Sequence, residues 1–365
     1  MNKQNVLVVV GTRPNFVKSA PLVRELKKYS NEFNTQLLHT GQHYDENLSQ
    51  WLFNDLKMSP PDISLGVGSG SQAQQTAKIM MGLEESILSF KSDLVVVFGD
   101  VNSTLAAAVV TSKIGVRLAH VESGLRSFDR TMPEEVNRVV TDHLSDLLFV
   151  TEEAGLHNLQ KEGISLDKVF FSGNIMIDSL IASRDVVAKS DVLSRLGLTA
   201  QGYALVTLHR PSNVDSKDSL TAAMEILTEI GKRIPVVFPC HPRTKNNLER
   251  FGLGTAIQEC NLIVTEPLGY IDFCRLTSDS RFVMTDSGGI QEETTFLKIP
   301  CITMRDNTER PITVTVGTNV MTGVDADKIR TTVDDILGGR QKQSSIPALW
   351  DGHTAERIVE IIKKC

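Results

Sequence analysis

Apolar and polar positions along this chain follow two alternating patterns. Short runs of Val, Leu, Ile and Phe give way to longer segments in which apolar residues recur every three or four positions. The first pattern predicts strands buried on both faces and the second amphipathic helices. Their alternation predicts parallel sheets with crossover helices. In the first half the expected strands are residues 6–10, 35–39, 94–98, 117–121, 147–150 and 169–171, with helices at 15–28 and 103–114. The second half restarts the pattern, with strands at 204–208, 236–239, 262–264, 282–285 and 301–304. Ser172-Gly173-Asn174 marks the junction, and a turn at Trp350-Asp351-Gly352 precedes a last helix, 354–364. The expected fold class is α/β: two Rossmann-like doubly wound domains facing a central cleft. Such halves bind ligands beyond the carboxyl ends of their strands, so functional residues are sought just after strands.

A chain of 365 residues exceeds one common core, which agrees with two domains. A net charge of -6 and the absence of Lys/Arg runs argue against a nucleic-acid partner. The N-terminal apolar run stops at Gly11, too short for a signal peptide, and no segment is long enough to span a bilayer. The five cysteines, Cys240, Cys260, Cys274, Cys301 and Cys365, form no C-x-x-C pair, so neither a disulfide framework nor a zinc site is expected. A soluble cytoplasmic protein without membrane partners follows. No H-x-x-H or H-E-x-x-H spacing suggests a metal.

The most informative stretch is Thr285-Asp286-Ser287-Gly288-Gly289-Ile290-Gln291-Glu292-Glu293, after the apolar run Phe282-Val283-Met284 and before a helical segment reaching Leu297. A strand, a Ser-Gly-Gly turn and a helix start collect free backbone N–H groups at the positive end of a helix, which suits a phosphate. The two glycines allow close approach, and Gly288→Val is expected to weaken binding of a phosphate group with the fold intact. Glu292 and Glu293 are placed to accept hydrogen bonds from sugar or ribose hydroxyls. An ordinary turn with a capping serine has the same pattern. After the first strand, Gly11-Thr12-Arg13-Pro14 and Lys18 offer cations suited to a pyrophosphate, or a solvated loop Arg and a surface Lys. No G-x-G-x-x-G follows that strand. Gly66-Val67-Gly68-Ser69-Gly70 reads as lying outside any strand-to-helix connection, so bound NAD is not expected and no cofactor is assigned. Nor is there a P-loop.

Asp100 follows the strand 94–98, either as a cleft carboxylate or as a helix cap. Glu122 ends the next strand in His120-Val121-Glu122-Ser123-Gly124-Leu125-Arg126, where packing gives no reason for an acid. Glu134 opens a helix in Pro133-Glu134-Glu135-Val136-Asn137-Arg138, where first-turn acids also suit the dipole. Three carboxylates in one cleft are enough for acid/base exchange. His209, in Thr207-Leu208-His209-Arg210-Pro211-Ser212-Asn213, is a general-acid or phosphate-partner candidate. His241 sits similarly on the next strand, and Arg305-Asp306-Asn307-Thr308-Glu309-Arg310 supplies another Arg and carboxylate after the last main strand.

Taken together and in this order, these motifs resemble the non-hydrolysing UDP-N-acetylglucosamine 2-epimerases over nearly the whole chain. The resemblance implies a GT-B fold with domains 1–172 and 173–352, a last helix (353–365) crossing back to the first, and usually a homodimer. It assigns diphosphate contacts to Arg13, His209, Ser287 and Gly288, with Gly289 in the same turn. It assigns further UDP contacts to Glu293 and Arg310, and the uracil contact to Phe273. It makes Asp100, Glu122 and Glu134 the catalytic carboxylates, with Lys18 and Arg138 beside the sugar. Many bacterial members read His-Arg-Arg-Glu-Asn where this chain has His209-Arg210-Pro211-Ser212-Asn213. That region helps to bind a second, activating UDP-GlcNAc in those members, so activation is expected to differ here.

Chemistry points the same way. The hydrogen on carbon 2 of a sugar is barely acidic, and an epimerase must either oxidise a neighbouring carbon or expel UDP from carbon 1. Without a dinucleotide fingerprint, elimination to 2-acetamidoglucal and re-addition is the expected route, requiring opposed acids and a diphosphate cradle. The alternatives are a GT-B glycosyltransferase using a UDP-sugar, which needs an acceptor groove, and a hydrolysing epimerase releasing N-acetylmannosamine and UDP.

Overall fold

The computed structural model describes residues 3–41, 53, 55–56, 58–253 and 261–365; Cys260 lies outside them. The chain forms two compact units, Met1–Ala182 with Ala348–Cys365, and Ser183–Pro347.

The first unit holds β1 (Gln4–Val10), β2 (Phe33–His39), β3 (Ile63–Ser64), β4 (Leu94–Phe98), β5 (Arg117–Ser123), β6 (Leu147–Val150) and β7 (Val169–Phe171). They form one sheet in the order β3-β2-β1-β4-β5-β6-β7, with every pairing parallel. The second unit holds β8 (Ala204–Thr207), β9 (Val236–Pro239), β10 (Leu262–Thr265), β11 (Phe282–Thr285), β12 (Cys301–Thr303) and β13 (Asn319–Met321). Their order is β10-β9-β8-β11-β12-β13, again all parallel. In both sheets the chain reverses its direction of winding beside the first strand, between β1 and β4 and between β8 and β11. That reversal opens a crevice at the strands' carboxyl ends.

The central strands are buried throughout, which explains their unbroken apolar runs: Leu94 to Phe98 and Phe282 to Met284 are each at most 1% exposed. Small residues Ala106, Ala107 and Ala108 let the Asn102–Ile114 helix lie close on the first sheet. The last helix, Thr354–Ile362, belongs to the first unit. Buried Trp350 donates its indole N–H to the Thr151 carbonyl (3.1 Å), and Ala355 N–H reaches Asp178 Oδ1 (2.8 Å).

The edge strands β3 and β13, of two and three residues, are absent from the apolar pattern because neither is long enough to show a period. The first of these corrects the reading of the glycine-dense loop. Gly66 to Gly70 does lie between a strand, β3, and a helix, Gln72–Phe90. Two of its amides are committed, however: Val67 N–H donates to the Thr40 carbonyl (3.1 Å) and Gly68 N–H to that of Gly41 (2.9 Å).

Candidate active site

In the first unit the switch point is assembled by the turns after β1, β4 and β5. Thr12 caps the Arg13–Lys28 helix, with Asn15 Oδ1 accepting from the Gly11 and Thr12 amides (3.1 Å each). Asn15 Nδ2 donates in turn to the Phe98 carbonyl (3.1 Å), which ties the β1 turn to the end of β4. Arg13, at the first helical position, is half-buried. Lys18, one turn further, is buried and ion-paired with Glu122. Glu122 sits where the β5–β6 register shifts, at φ 74°. That left-handed conformation costs a residue with a side chain about 1–3 kcal/mol, and it turns the carboxylate onto Lys18.

Asp100 does not cap a helix. The N-cap of Asn102–Ile114 is Val101, and Asp100 pairs instead with Arg138. The two adjacent acids of the Pro133–Leu144 helix separate by role. Glu135 is buried and accepts from Ser127 N–H and Oγ (2.9 Å each), Phe128 N–H (2.9 Å) and Arg138 Nη1 (2.8 Å). Glu134 makes no hydrogen bond or ion pair with the described residues. Lys18, Glu122, Asp100 and Arg138 are thus joined in pairs at the ends of β4 and β5, with Glu134 on the helix that carries Arg138.

Behind them lies a buried chain of ionic hydrogen bonds. His120 spans the Gly99 carbonyl (Nε2, 2.8 Å) and Asp142 (Nδ1, 2.7 Å). Asp142 also accepts from Gly124 N–H (3.1 Å) and Arg126 (2.6 Å). Burial alone would raise the Asp142 carboxyl, but His120 and Arg126 outweigh it and hold it below the usual carboxylate range.

In the second unit Ser287 is the N-cap of the Gly288–Leu297 helix, yet its hydroxyl makes no capping bond, so the capped-turn reading fails. Arg310 lies over the start of this helix. A Cβ built on Gly288 would come within 2.5 Å of its Nη1. The cation lies beside the first-turn amides, an anion site in form, with Ser287 as the N-cap residue. Asp286 is fully buried, stands 2.9 Å from His209 Nδ1 through Oδ1, and accepts from His209 N–H (2.9 Å) and Arg210 N–H (2.8 Å) at Oδ2. Burial would raise this carboxyl; the bond from His209 and its charge, followed by the two amides, bring it below its ordinary value. Asp286 therefore orients His209, whose side chain is 38% exposed.

Two sequence expectations are corrected here. Glu292 is fully buried and pairs with Arg310 Nε (3.0 Å), so it neutralises that cation and does not face a sugar. Arg305 is not a spare cleft cation: Glu309 takes it at 3.0 and 2.8 Å, and Asn307 at 3.0 Å. Glu293 lies nearly buried on the same helix as Glu292, and Phe273 is half-buried on the Tyr270–Ser278 helix. His241 caps the Pro242–Arg250 helix, its ring 5.7 Å from that of His209. Sequence reasoning quoted His120, Asp286 and Glu135 within motifs without giving them roles, and passed over Asp142 altogether. For His120 and Asp286 the signal available was a polar residue inside or directly after a strand with no surface to serve; Glu135 and Asp142 lie within the Pro133–Leu144 helix, where no such signal exists.

The sheets and their switch-point residues define a twin doubly wound α/β protein of GT-B type. The UDP-N-acetylglucosamine 2-epimerase family model matches residues 24–363. A curated UDP-N-acetylglucosamine 2-epimerase of Methanocaldococcus jannaschii is 40% identical over 361 residues, covering 97% of this chain and 98% of that protein. The Pseudomonas aeruginosa UDP-2,3-diacetamido-2,3-dideoxy-D-glucuronate 2-epimerase is 39% identical, covering 98% and 99%. Among solved structures, the M. jannaschii UDP-GlcNAc 2-epimerase in complex with UDP-GlcNAc and UDP superposes with a TM-score of 0.92 at 39% identity, over 99% of this chain and 100% of that one. This chain belongs to the UDP-N-acetylglucosamine 2-epimerase family.

Proposed function

We propose that this protein inverts carbon 2 of UDP-N-acetylglucosamine to give UDP-N-acetylmannosamine without net hydrolysis. The observation that carries the reading is the set of carboxylates at the β4 and β5 ends, two of them paired with Lys18 and Arg138, in a chain of this family. A carboxylate of the set Asp100, Glu122 and Glu134 removes the carbon 2 proton. The C–H electrons form the carbon 1–carbon 2 double bond, and the bond to the diphosphate oxygen breaks with its pair leaving on UDP. Arg13, His209, Arg310, Ser287 and the Gly288 and Gly289 amides receive the growing negative charge. His209, oriented by Asp286, protonates the diphosphate or hydrogen-bonds it. Lys18 and Arg138 hold the sugar side, and Phe273 and Glu293 the uridine side. A proton delivered to the opposite face of 2-acetamidoglucal and re-attack by UDP at carbon 1 complete the inversion. On this reading the enzyme works as a cytoplasmic homodimer without a cofactor and supplies surface polysaccharide synthesis.

The P. aeruginosa relative supports a second substrate, a UDP-2,3-diacetamido uronic acid. Anomeric proton spectra of the protein with each UDP-sugar, and no acceptor present, decide between them. In deuterated water the product is expected to carry deuterium at carbon 2. Retention of the original hydrogen would exclude solvent-exchanged acid/base transfer, and accumulation of free sugar would show a hydrolase.

A further inference from the structure

The chemistry above needs Asp100 and Glu122 at a fixed separation, yet each stands on a turn of unusual backbone. Gly99 lies at φ 62°, Glu122 at φ 74° and Gly124 at φ 77°. We propose that His120, gripped by Asp142, which Arg126 holds in turn, is the positioning residue that holds both turns in register; this rests on the epimerase reading.

The Gly99 carbonyl is only an acceptor, so His120 Nε2 donates to it (2.8 Å), and the ring is fully buried. That bond anchors the residue directly before Asp100. At the other nitrogen the ring meets Asp142 Oδ1 (2.7 Å), while Asp142 Oδ2 takes the Gly124 amide (3.1 Å). His120 and Gly124 flank Glu122 by two residues on each side. One carboxylate therefore closes a clamp across the strained segment, and it is the clamp that over-determines the left-handed Glu122. Arg126 fixes Asp142 in turn and is itself held by Glu162 at Nε (2.8 Å) and Nη2 (2.6 Å). Lys18 is seated by the same joint, since a Cβ on Gly99 would lie 3.3 Å from its Nζ. Lys18, Glu122 and Asp100 thus share one backstop. None of its members touches the site surface: His120 and Asp142 are 0% and 1% exposed, and Arg126 is 3%.

The test compares Asp142→Ala with Asp142→Asn. Alanine leaves the His120, Gly124 and Arg126 donors without an acceptor. Asparagine keeps an oxygen for Gly124 and Arg126 and offers an N–H to His120 Nδ1, which then accepts while Nε2 still donates to Gly99. The alanine variant is expected to lose about 100-fold in kcat with KM within about threefold, and to leak UDP and 2-acetamidoglucal, because displaced carboxylates fail at reprotonation. The asparagine variant is expected to recover at least about tenfold of that loss. If Asp142→Ala does not accumulate as folded protein, His120→Gln, which reaches only one of the two acceptors, carries the same test. Wild-type kcat in a folded alanine or glutamine variant overturns the proposal, as does an asparagine variant no more active than alanine. A crystal structure of Asp142→Ala in which Glu122 keeps its positive φ and its bond to Lys18 also overturns it. That last result is independent of which sugar the wild-type enzyme inverts, so it separates a failed clamp from a failed epimerase reading.

Discussion

Gly288 and Arg310 act as one feature, although the sequence presents them 22 residues apart. The space a side chain at Gly288 would fill is occupied by the Arg310 guanidinium, which Glu292 also holds. Gly288→Val therefore does more than block a phosphate: the Arg310 guanidinium, held by Glu292, must shift to admit the side chain. Ser287 gives the cleaner experiment. Its hydroxyl caps nothing, so Ser287→Ala is expected to leave Tm unchanged, where a working N-cap would cost about 1 kcal/mol. UDP affinity by calorimetry should nevertheless fall about tenfold, the worth of one hydrogen bond to a charged group. A lower Tm with unchanged UDP affinity would return Ser287 to a structural role. In the first unit, Asp100→Asn and Glu134→Gln should each cut kcat by about 100-fold or more with smaller effects on UDP binding. Near-normal rates would move the acid/base work to Glu122 or His209.

At the scale of elements, what could be read from sequence was what one segment decides by itself. The central strands announce themselves as apolar runs because both faces are covered, and the candidate residues follow them because the switch points lie there. The strand expected at 117–121 continues to Ser123 through a bulge. Glu122's left-handed backbone is imposed by Asp142, twenty residues on, so no local rule predicts it. Glu134 and Glu135 look alike in sequence; the Ser127-Phe128 turn and Arg138 hold Glu135 as a structural acid, whereas Glu134 bonds none of the described residues. The last helix has a comparable long-range support in Asp178. Burial raises that carboxyl; the Ala355 and Thr354 contacts lower it less, and Asp351 raises it further. A carboxyl raised in the folded state favours folding below its unfolded value, and that contribution is lost as pH rises through the folded value. Asp178→Asn keeps the acceptor for Ala355 N–H, and Thr354 Oγ1 beside it can take the new N–H. Thermal scans should show the variant at least as stable as wild type at pH 7, with that relative gain gone near pH 4. A large loss at pH 7 would mean that the ionised carboxylate itself holds the helix.

For the whole molecule, family membership leaves regulation open, and the chain's own residues bear on it. The short Pro211–Val214 helix begins next to His209, and its exposed first positions are Pro211 and Ser212. Where many bacterial relatives of the resembling type place an Arg-Glu pair, this chain places Pro211 and Ser212, with Arg210 before them and the Asp215–Arg243 ion pair beyond. A second UDP-sugar bound there would lose the ionic hydrogen bonds that such a pair provides, on the order of 1.5–3 kcal/mol for each one missing. By linkage, a ligand that binds weakly in the active conformation shifts little population toward it. Catalysis by this protein is therefore expected to run without an activator. Starting from UDP-N-acetylmannosamine alone, the reverse reaction should begin at its full rate, and adding UDP-N-acetylglucosamine at a hundredth of the substrate concentration should leave the early progress curve unchanged. A lag that this trace abolishes would show that other residues rebuild the effector site, with His241, its ring 5.7 Å from that of His209, the first to replace.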